Sequence, residues 1–336
     1  MIRIALDVMG GDYAPREILA GAREALKALP DLFLYLVGTE KALADFPEHE
    51  RVEKVPAPEW VEMDEAPSEA LRKKPRSSIR VAFELARSGK AQAVVSAGNS
   101  GVTYACALFA LGRIRGVSRP AIATVLPTLK NPAVLIDAGA NVDCKPSHLL
   151  QFALMGALFS QEILGIKEPR VGLLSIGEEG GKGNFLVKRA HALLSESSLN
   201  FVGNVEGRHI YSGEAEVIVC DGFVGNICLK VSEGVAEALT VMLKREVRRD
   251  PLAILGFLLA RRALSRFRHR VDWREYGGAP LLGVNGVVII GHGRSDARAV
   301  RNALHTARRF VEIDLARRLS EALGARNHLP DLQAIS

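Results

Sequence analysis

Apolar residues follow two patterns along this chain, and the two patterns predict different secondary structure. Short, near-continuous apolar runs are typical of strands covered on both faces, because a half-exposed strand would alternate apolar and polar residues. The predicted strands cover 2–8, 32–38, 93–98, 121–126, 133–139, 171–177, 216–222 and 287–293.

Most stretches between these runs have a helical period instead. The stretch 15–29 begins with a proline, which suits a first helical turn, and five of its apolar residues share one face. A last long helix opens at Ser295, with Asp296 as a candidate cap. The alternation predicts an α/β fold, with a mostly parallel sheet sandwiched by helices in one unit over 1–336.

Six predicted strands end in turns of small or polar residues. The turns are 7–12, 96–101, 137–141, 177–184, 220–226 and 291–295. Carboxyl ends of parallel strands gather along one sheet edge, where glycine lets backbone N–H groups approach an anion. The pattern predicts a site for phosphate or an oxyanion. Its candidate residues are Gly10, Gly11, Asp12, Ser96, Gly98, Asn99, Ser100, Asp137, Gly139, Asn141, Glu178, Gly183, Asp221, Gly222 and His292.

Each of these residues also has a purely structural interpretation. Carboxylates at strand ends usually brace loops through N–H hydrogen bonds, which would account for Asp7, Asp137 and Asp221. Asparagine tolerates left-handed turn geometry, so turn chemistry explains each asparagine taken singly. Together the asparagines would also offer amide donors to an oxyanion. They are Asn99, Asn141, Asn184, Asn204 and Asn226.

Several familiar motifs are absent from the sequence. No turn has the Gly-x-Gly-x-x-Gly spacing of a dinucleotide site, and no Gly-x-Ser-x-Gly elbow exists. The stretch GEEGGK is one residue short of a Walker loop, with Gly183 in place of its Ser or Thr. The four cysteines lack the spacing of a zinc site or a disulfide framework, and His148 is interpreted as structural. We expect the cysteines to be small buried residues.

The net charge of +6 is concentrated in one segment. Residues 244–275 hold ten Lys or Arg against four acids, so the rest of the chain is neutral. The segment includes the apolar stretch 252–260 followed by arginines. Nine residues cannot span a bilayer, but an apolar tip beside a cationic helix suits a membrane surface. We predict an amphipathic helical hairpin over 232–274.

The predicted membrane-binding residues are Leu255, Phe257, Leu258, Leu259, Arg261 and Arg262. The alternative for the apolar tip is an ordinary dimer or core contact. The N-terminus becomes polar after about eight residues, unlike a secretion signal, so a cytoplasmic protein is expected. Nucleic-acid binding is disfavoured, because the basic cluster lacks interleaved aromatic residues.

Nine stretches resemble the bacterial phosphate acyltransferases of phospholipid synthesis, in family order from residue 6 to 295. They are LDVMGGDYAP, SAGNSG, RPAIA, DAGANVDCKP, GEEGGKGN, GNVEG, CDGFVGNICLK, YGGAPLLGVNG and GHGRS. The clearest departure is Ser100, where the family often has threonine, and the hydroxyl is kept.

The resemblance implies that acyl-acyl carrier protein gives its acyl group to inorganic phosphate. It also implies a homodimer, a fold similar to isopropylmalate dehydrogenase and phosphotransacetylase, and no metal or organic cofactor. The acyl phosphate would pass to a membrane glycerol-3-phosphate acyltransferase. The basic hairpin would then meet either anionic lipid at the inner face of the cell membrane or the acidic carrier protein.

In such a reaction phosphate is the nucleophile, so the enzyme has to position an anion and stabilise an oxyanion. We expect Lys182 to neutralise one of these charges, together with glycine N–H groups and the amides of Asn184 and Asn226. Glu178 and Glu179 would repel phosphate, so we expect at least one to pair with a base or to orient Lys182.

Two other functions fit parts of the sequence. One is a phosphotransacetylase-like transferase that uses acyl-coenzyme A, on a related sheet with related chemistry. The other is a membrane adaptor without enzymatic activity that binds anionic metabolites, against which the many polar strand ends argue. Turnover with a thioester and phosphate would separate the enzymes from the adaptor.

Overall fold

The computed structural model describes residues 1–275 and 277–325. Within them, eleven strands form one sheet: β1 (Ile2–Asp7), β2 (Leu32–Gly38), β3 (Val52–Pro56), β4 (Ala93–Ser96), β5 (Ala121–Leu126), β6 (Ala133–Ile136), β7 (Val171–Ser175), β8 (Phe201–Glu206), β9 (Val217–Val219), β10 (Ala279–Leu282) and β11 (Val287–Ile290).

The same residues form twelve α-helices. They are α1 (Arg16–Ala28), α2 (Glu40–Ala44), α3 (Pro67–Lys73), α4 (Ser78–Arg87), α5 (Ser100–Ala110), α6 (Pro146–Leu164), α7 (Phe185–Ser195), α8 (Gly222–Arg249), α9 (Pro251–Leu259), α10 (Arg261–Val271), α11 (Ala297–Glu312) and α12 (Leu315–Ala325). All eight predicted strands are present, and the α/β class is confirmed.

The sheet has the strand order β3-β2-β1-β4-β11-β10-β5-β6-β9-β7-β8. The first five strands in this order are parallel to one another, and so are the last four. Between these groups, three consecutive antiparallel pairings reverse the direction of the sheet. The sheet is mostly parallel, as predicted, but the expectation of a single edge carrying all six turns is wrong.

Helices cover both faces of the sheet. On one face α1, α6 and α11 pack on the strands, and the rings of Phe159 and Phe310 meet edge to face at 5.7 Å. On the other face α4 and α5 pack through Phe83 and Cys106. Cys106 and Cys220 are buried as predicted, whereas Cys144 and Cys228 are only partly buried.

The predicted cap at Asp296 is confirmed, and the segment predicted as a helical hairpin is built of helices. Asp296 caps α11 by accepting the N–H of Ala299 at 3.0 Å. The helix ends at Glu312 because Asp314 is left-handed (φ 53°), so α12 is a separate helix. The predicted hairpin begins in the 28-residue α8 and turns at Pro251, and two shorter helices follow where one was expected.

Candidate functional site

The six glycine turns form two sets. The first set follows β1, β4 and β11, and the second follows β6, β7 and β9. Six steps separate β1 from β9 across the sheet. Two helices join the sets directly, as the contacts of α5 and α8 below show.

In the first set, Asp7 ties the β1 turn to the β4 turn. Its Oδ2 accepts the hydroxyl of Ser96 at 2.7 Å, and that hydroxyl oxygen accepts the N–H of Gly98 at 3.1 Å. A Cβ atom on Gly10 would lie 2.7 Å from Asp7 Oδ2, so only glycine fits there. Burial raises the pKa of Asp7, although hydrogen bonds from Ser78, Ser96 and the Met9 N–H act in the opposite direction.

The rest of the first set surrounds these residues. Gly11 is left-handed (φ 107°), and the N–H of the exposed Asp12 donates to the Gly293 carbonyl at 2.8 Å. The side chain of Asn99 caps α5, and its amide donates to the Met63 and Glu65 carbonyls. Both amide hydrogens of Asn99 are therefore used by the scaffold. Ser100 is exposed as the first residue of α5.

Asp137 braces the turn after β6. One carboxylate oxygen accepts the N–H groups of Ile122, Gly139 and Ala140 at 3.0–3.1 Å. The other accepts the N–H of Asn141 at 2.7 Å and its side-chain amide at 2.8 Å. Burial raises the pKa of Asp137, although these hydrogen bonds lower it. The role of Asp137 and Asn141 is to hold the turn.

The first turn of α8 packs tightly onto this Asp137 turn. Asp221 caps the helix by accepting the N–H of Val224 at 2.8 Å, and the Gly222 N–H donates to the Asn141 carbonyl at 2.7 Å. A Cβ atom on Gly225 would lie 1.9 Å from the Asp137 carbonyl oxygen. The glycine spacing in CDGFVGN therefore serves close backbone contact. This packing places Asn226 against Gly139, where an added Cβ atom would lie 3.4 Å from the Asn226 Cβ.

The turn after β7 carries Lys182. Glu178 pairs with Arg208 at 3.3 Å, so the expectation that one of the two carboxylates meets a base is confirmed. The Glu179 carbonyl accepts the amide of Asn204 at 2.9 Å, which holds the loop to β8. Gly183 is left-handed (φ 101°), and Asn184 caps α7 through its Oδ1. The side chain of Lys182 is exposed.

These contacts divide the five asparagines into two groups. Asn99, Asn141 and Asn204 donate their amide hydrogens to backbone or carboxylate oxygens. In residues 1–275 and 277–325, the amide nitrogens of Asn184 and Asn226 and the ammonium of Lys182 have no such partner. These three groups lie on loops or helices that follow the adjacent strands β7 and β9.

Two further helical contacts connect the sets, and neither was predicted from the sequence. The hydroxyl of Tyr104, on α5, donates to Asn141 Oδ1 at 3.2 Å. Lys230 and Glu233, on α8, lie 3.0 Å and 3.4 Å from Nε2 of His292 in the β11 turn. The available signal was the position of Lys230, one helical turn after Asn226.

His148 has a structural role, as interpreted from the sequence. Its Nδ1 accepts the N–H of Lys145 at 3.1 Å at the start of α6, and burial lowers its pKa. The described residues contain no group of three or more His, Cys, Asp or Glu placed to hold a metal ion. Nor is any helix in this part of the chain long and apolar enough to cross a membrane.

The predicted membrane-binding residues lie on α9 and at the start of α10. Leu258 is 60% and Leu259 80% exposed, and Leu255 is also exposed, whereas Phe257 is partly buried. Arg261 and Arg262 follow as exposed residues of α10.

Comparison with known proteins identifies close relatives over nearly the whole chain. Residues 2–318 match the family model described as fatty acid synthesis protein. The chain is 50% identical to a phosphate acyltransferase of Thermodesulfovibrio yellowstonii, covering 96% of this chain and 94% of the relative. It is 53% identical to a phosphate acyltransferase of Heliobacterium modesticaldum, covering 93% of this chain and 94% of that relative.

The fold is similar to that of a crystallised phosphotransacetylase from Streptococcus pyogenes. The TM-score is 0.58 at 18% identity, and the match covers 93% of this chain and 94% of the other. At this identity the likeness concerns the fold alone.

Proposed function

Because the chain belongs to the fatty acid synthesis protein family and is a phosphate acyltransferase, we propose that it transfers the acyl group of acyl-acyl carrier protein to inorganic phosphate. The observation that carries this proposal is the group formed by Lys182, Asn184 and Asn226. Among the residues that the structure describes, this cation and these two amides have no protein partner, and they lie on loops or helices that follow adjacent strands, beside glycines that leave the backbone accessible.

The reaction needs little more than such a group. A phosphate oxygen attacks the thioester carbonyl, a C–O bond forms, and the C–S bond breaks with the electron pair leaving on sulfur. Positioning the reactants can supply ~7–11 kcal/mol, and one preorganised donor about 2.7–4 kcal/mol. Lys182 neutralises the phosphate or the developing oxyanion, and the two amides donate to the same charge. Asp7 and Asp137 support the turns and transfer no proton.

The experiment that tests the activity is direct. Purified protein is incubated with acyl-acyl carrier protein and phosphate, and acyl phosphate is trapped with hydroxylamine. We expect acyl hydroxamate that depends on both substrates. Its absence, with folded protein and intact thioester, would contradict the proposal.

The alternative acyl donor is acyl-coenzyme A, which the fold of a phosphotransacetylase favours. Both donors present a thioester, so the chemistry at Lys182 would be the same. Comparing kcat/KM for the two thioesters separates them. A higher kcat/KM for the coenzyme A thioester would show that acyl-coenzyme A, and not acyl-acyl carrier protein, is the preferred acyl donor.

We place the enzyme in the cytoplasm, at the inner face of the cell membrane, with the hairpin on lipid. Exposed leucines at the tip, with Arg261 and Arg262 close behind them in the sequence, favour a lipid surface over a protein surface. The acyl phosphate would then be formed close to a membrane glycerol-3-phosphate acyltransferase. We expect Leu258→Glu with Leu259→Glu to abolish flotation with anionic liposomes while soluble turnover persists. Loss of turnover with unchanged flotation would assign the hairpin to the carrier protein.

The second half of α8 supports the proposal of a homodimer. Val235, Leu239, Met242 and Leu243 form an apolar stripe that is exposed in the single chain. A contiguous apolar patch of this kind usually marks an interface. We expect a dimer by sedimentation velocity and a monomer for Leu239→Glu. A wild-type monomer at all concentrations would contradict this assignment.

A further inference from the structure

One face of α8 bridges the two sets of turns. Asn226, Lys230, Glu233 and Glu237 are spaced four, three and four residues apart, so they share this bridging face. Its first residue lies against Gly139 in the second set. Its later residues meet His292 and Arg294 in the first set. Lys230 is therefore a cation placed between the two sets.

The contacts of Lys230 centre on a shared carboxylate. Its Nζ lies 3.0 Å from Glu233 Oε2 and 3.0 Å from His292 Nε2. Nδ1 of His292 accepts the N–H of Arg294 at 3.1 Å, and Nε2 of the same ring lies 3.4 Å from Glu233 Oε2. Burial raises the pKa of Glu233, but hydrogen bonds from His292 and Lys230 outweigh it and keep the carboxylate ionised.

The ammonium of Lys230 remains accessible to an anion. Its side chain is 51% exposed, and an ion pair between residues i and i+3 of an exposed helix contributes little to stability. An ammonium has three N–H donors, of which one is directed to Glu233 and a second lies within reach of His292 Nε2, so a third remains for an anion. Two charged residues near Lys230 do not compete with it for an anion, because one is a paired base and the other is an acid. Arg294 lies 3.5 Å from Glu237, and Asp12 packs against Gly293.

We propose that Lys230 binds the phosphate substrate and that Glu233 holds the ammonium until phosphate displaces the carboxylate. This inference rests on the proposed function and deepens it by separating the two cations. Lys230 compensates the phosphate dianion, which leaves Lys182 for the oxyanion of the thioester carbonyl. No proton passes through Lys230. The competing explanation is that the cluster only fastens α8 to the β11 turn.

The two explanations predict different changes in the phosphate KM when Lys230 and Glu233 are substituted. We measure turnover against phosphate concentration for Lys230→Met, Lys230→Arg and Glu233→Gln, with the exposed Lys90→Met as a matched control. Lys230→Met should raise the phosphate KM at least tenfold and leave the thioester KM unchanged, and arginine should restore most of the affinity. Glu233→Gln should keep or lower the phosphate KM, because it removes the competing charge.

A fastening role predicts instead that Lys230→Met and Glu233→Gln impair the enzyme alike, with a matching loss of thermal stability. That result, or a phosphate KM within twofold of wild type in folded Lys230→Met, would overturn the proposal. Circular dichroism checks the folding of each variant, and the sign for Glu233→Gln remains decisive if Lys230→Met unfolds.

Equilibrium dialysis with radiolabelled phosphate and no thioester separates this proposal from the proposed function. Phosphate binding that Lys230→Met weakens tenfold, in a protein that makes no acyl phosphate, would support the site and contradict the function. Acyl phosphate synthesis with phosphate binding unchanged in Lys230→Met would support the function and contradict the site.

Discussion

The Asp137 turn (137–141) and the Lys182 loop (177–184) follow strands that flank β9 on either side, yet they use similar residues in opposite ways. Each contains at least one acid, at least one glycine and one asparagine. In the Asp137 turn the carboxylate accepts five hydrogen bonds. The side-chain amide of Asn141 donates to Asp137 and to the Pro120 carbonyl. In the Lys182 loop, the lysine ammonium and the Asn184 amide N–H groups have no acceptor in the part of the chain described.

Burial accounts for this difference. Asp137 is fully buried, and a buried polar group must be hydrogen-bonded, so the surrounding chain is arranged to satisfy it. Lys182 is exposed, and water satisfies its ammonium until a ligand arrives. The comparison indicates that buried polar residues here build the turns, whereas the exposed donors are the ones available to substrate.

The largest expected effect is on stability, at Asp137. Asp137→Ala would leave five N–H donors without their acceptor, and we expect it to lower the free energy of unfolding by about 3–5 kcal/mol. Urea unfolding measures the change. The exposed Asp143→Ala is the control from the same loop, with an expected change within about 0.5 kcal/mol. If Asp137→Ala lowers the free energy of unfolding no more than Asp143→Ala does, the structural role assigned to Asp137 is wrong.

The next effect is on turnover, at Lys182. Lys182→Met should reduce turnover by about 10²–10³, the range for one oxyanion donor, without changing the melting temperature. Lys188→Met, exposed on α7, is the control and should retain wild-type turnover. If Lys182→Met keeps more than about a tenth of wild-type turnover, the lysine has no place in the mechanism.

The smallest effect concerns the pH dependence of stability, at Asp7. Its folded-state pKa lies above the ordinary value of 3.8, so the folded state holds the proton after the unfolded chain has lost it. Wild-type stability relative to Asp7→Asn should be greatest in acid. It should fall as the pH rises through the folded pKa, by at most about 1.4 kcal/mol per pH unit.

Urea unfolding of both proteins across a series of pH values checks the sign at Asp7. A difference that stays constant with pH would mean that burial does not penalise the Asp7 charge. Asp7 would then behave like an exposed carboxylate and not like the buried Asp137.

Much of the fold could be predicted from the sequence, because strands buried on both faces form continuous apolar runs. The missed strands lack that signal. β3 contains the adjacent charged residues Glu53 and Lys54, β8 contains Gly203 and Asn204, and the four-residue β10 contains Pro280. The short β10 creates two of the antiparallel pairings that reverse the sheet. For this reason the prediction of a single edge for all six turns failed.

The site was predictable to the level of turns and residue types. The sequence placed Asn99 and Asn226 in equivalent glycine turns. Only tertiary contacts show that carbonyls use the amide of Asn99, whereas the amide of Asn226 has no such partner within 1–275 and 277–325. Lys230 was missed because a lysine inside a long helix has the same pattern as a solvated charge. Its contact with His292 joins residues 62 positions apart.

The central claim is that phosphate attacks the thioester directly, without an acylated side chain on the enzyme. Rapid-quench single turnover with acyl-acyl carrier protein, followed by mass spectrometry of the intact protein, tests it. The account predicts that carrier thiol is released only when phosphate is present and that the protein mass never changes. A phosphate-independent burst of thiol, matched by protein heavier by one acyl group, would contradict it.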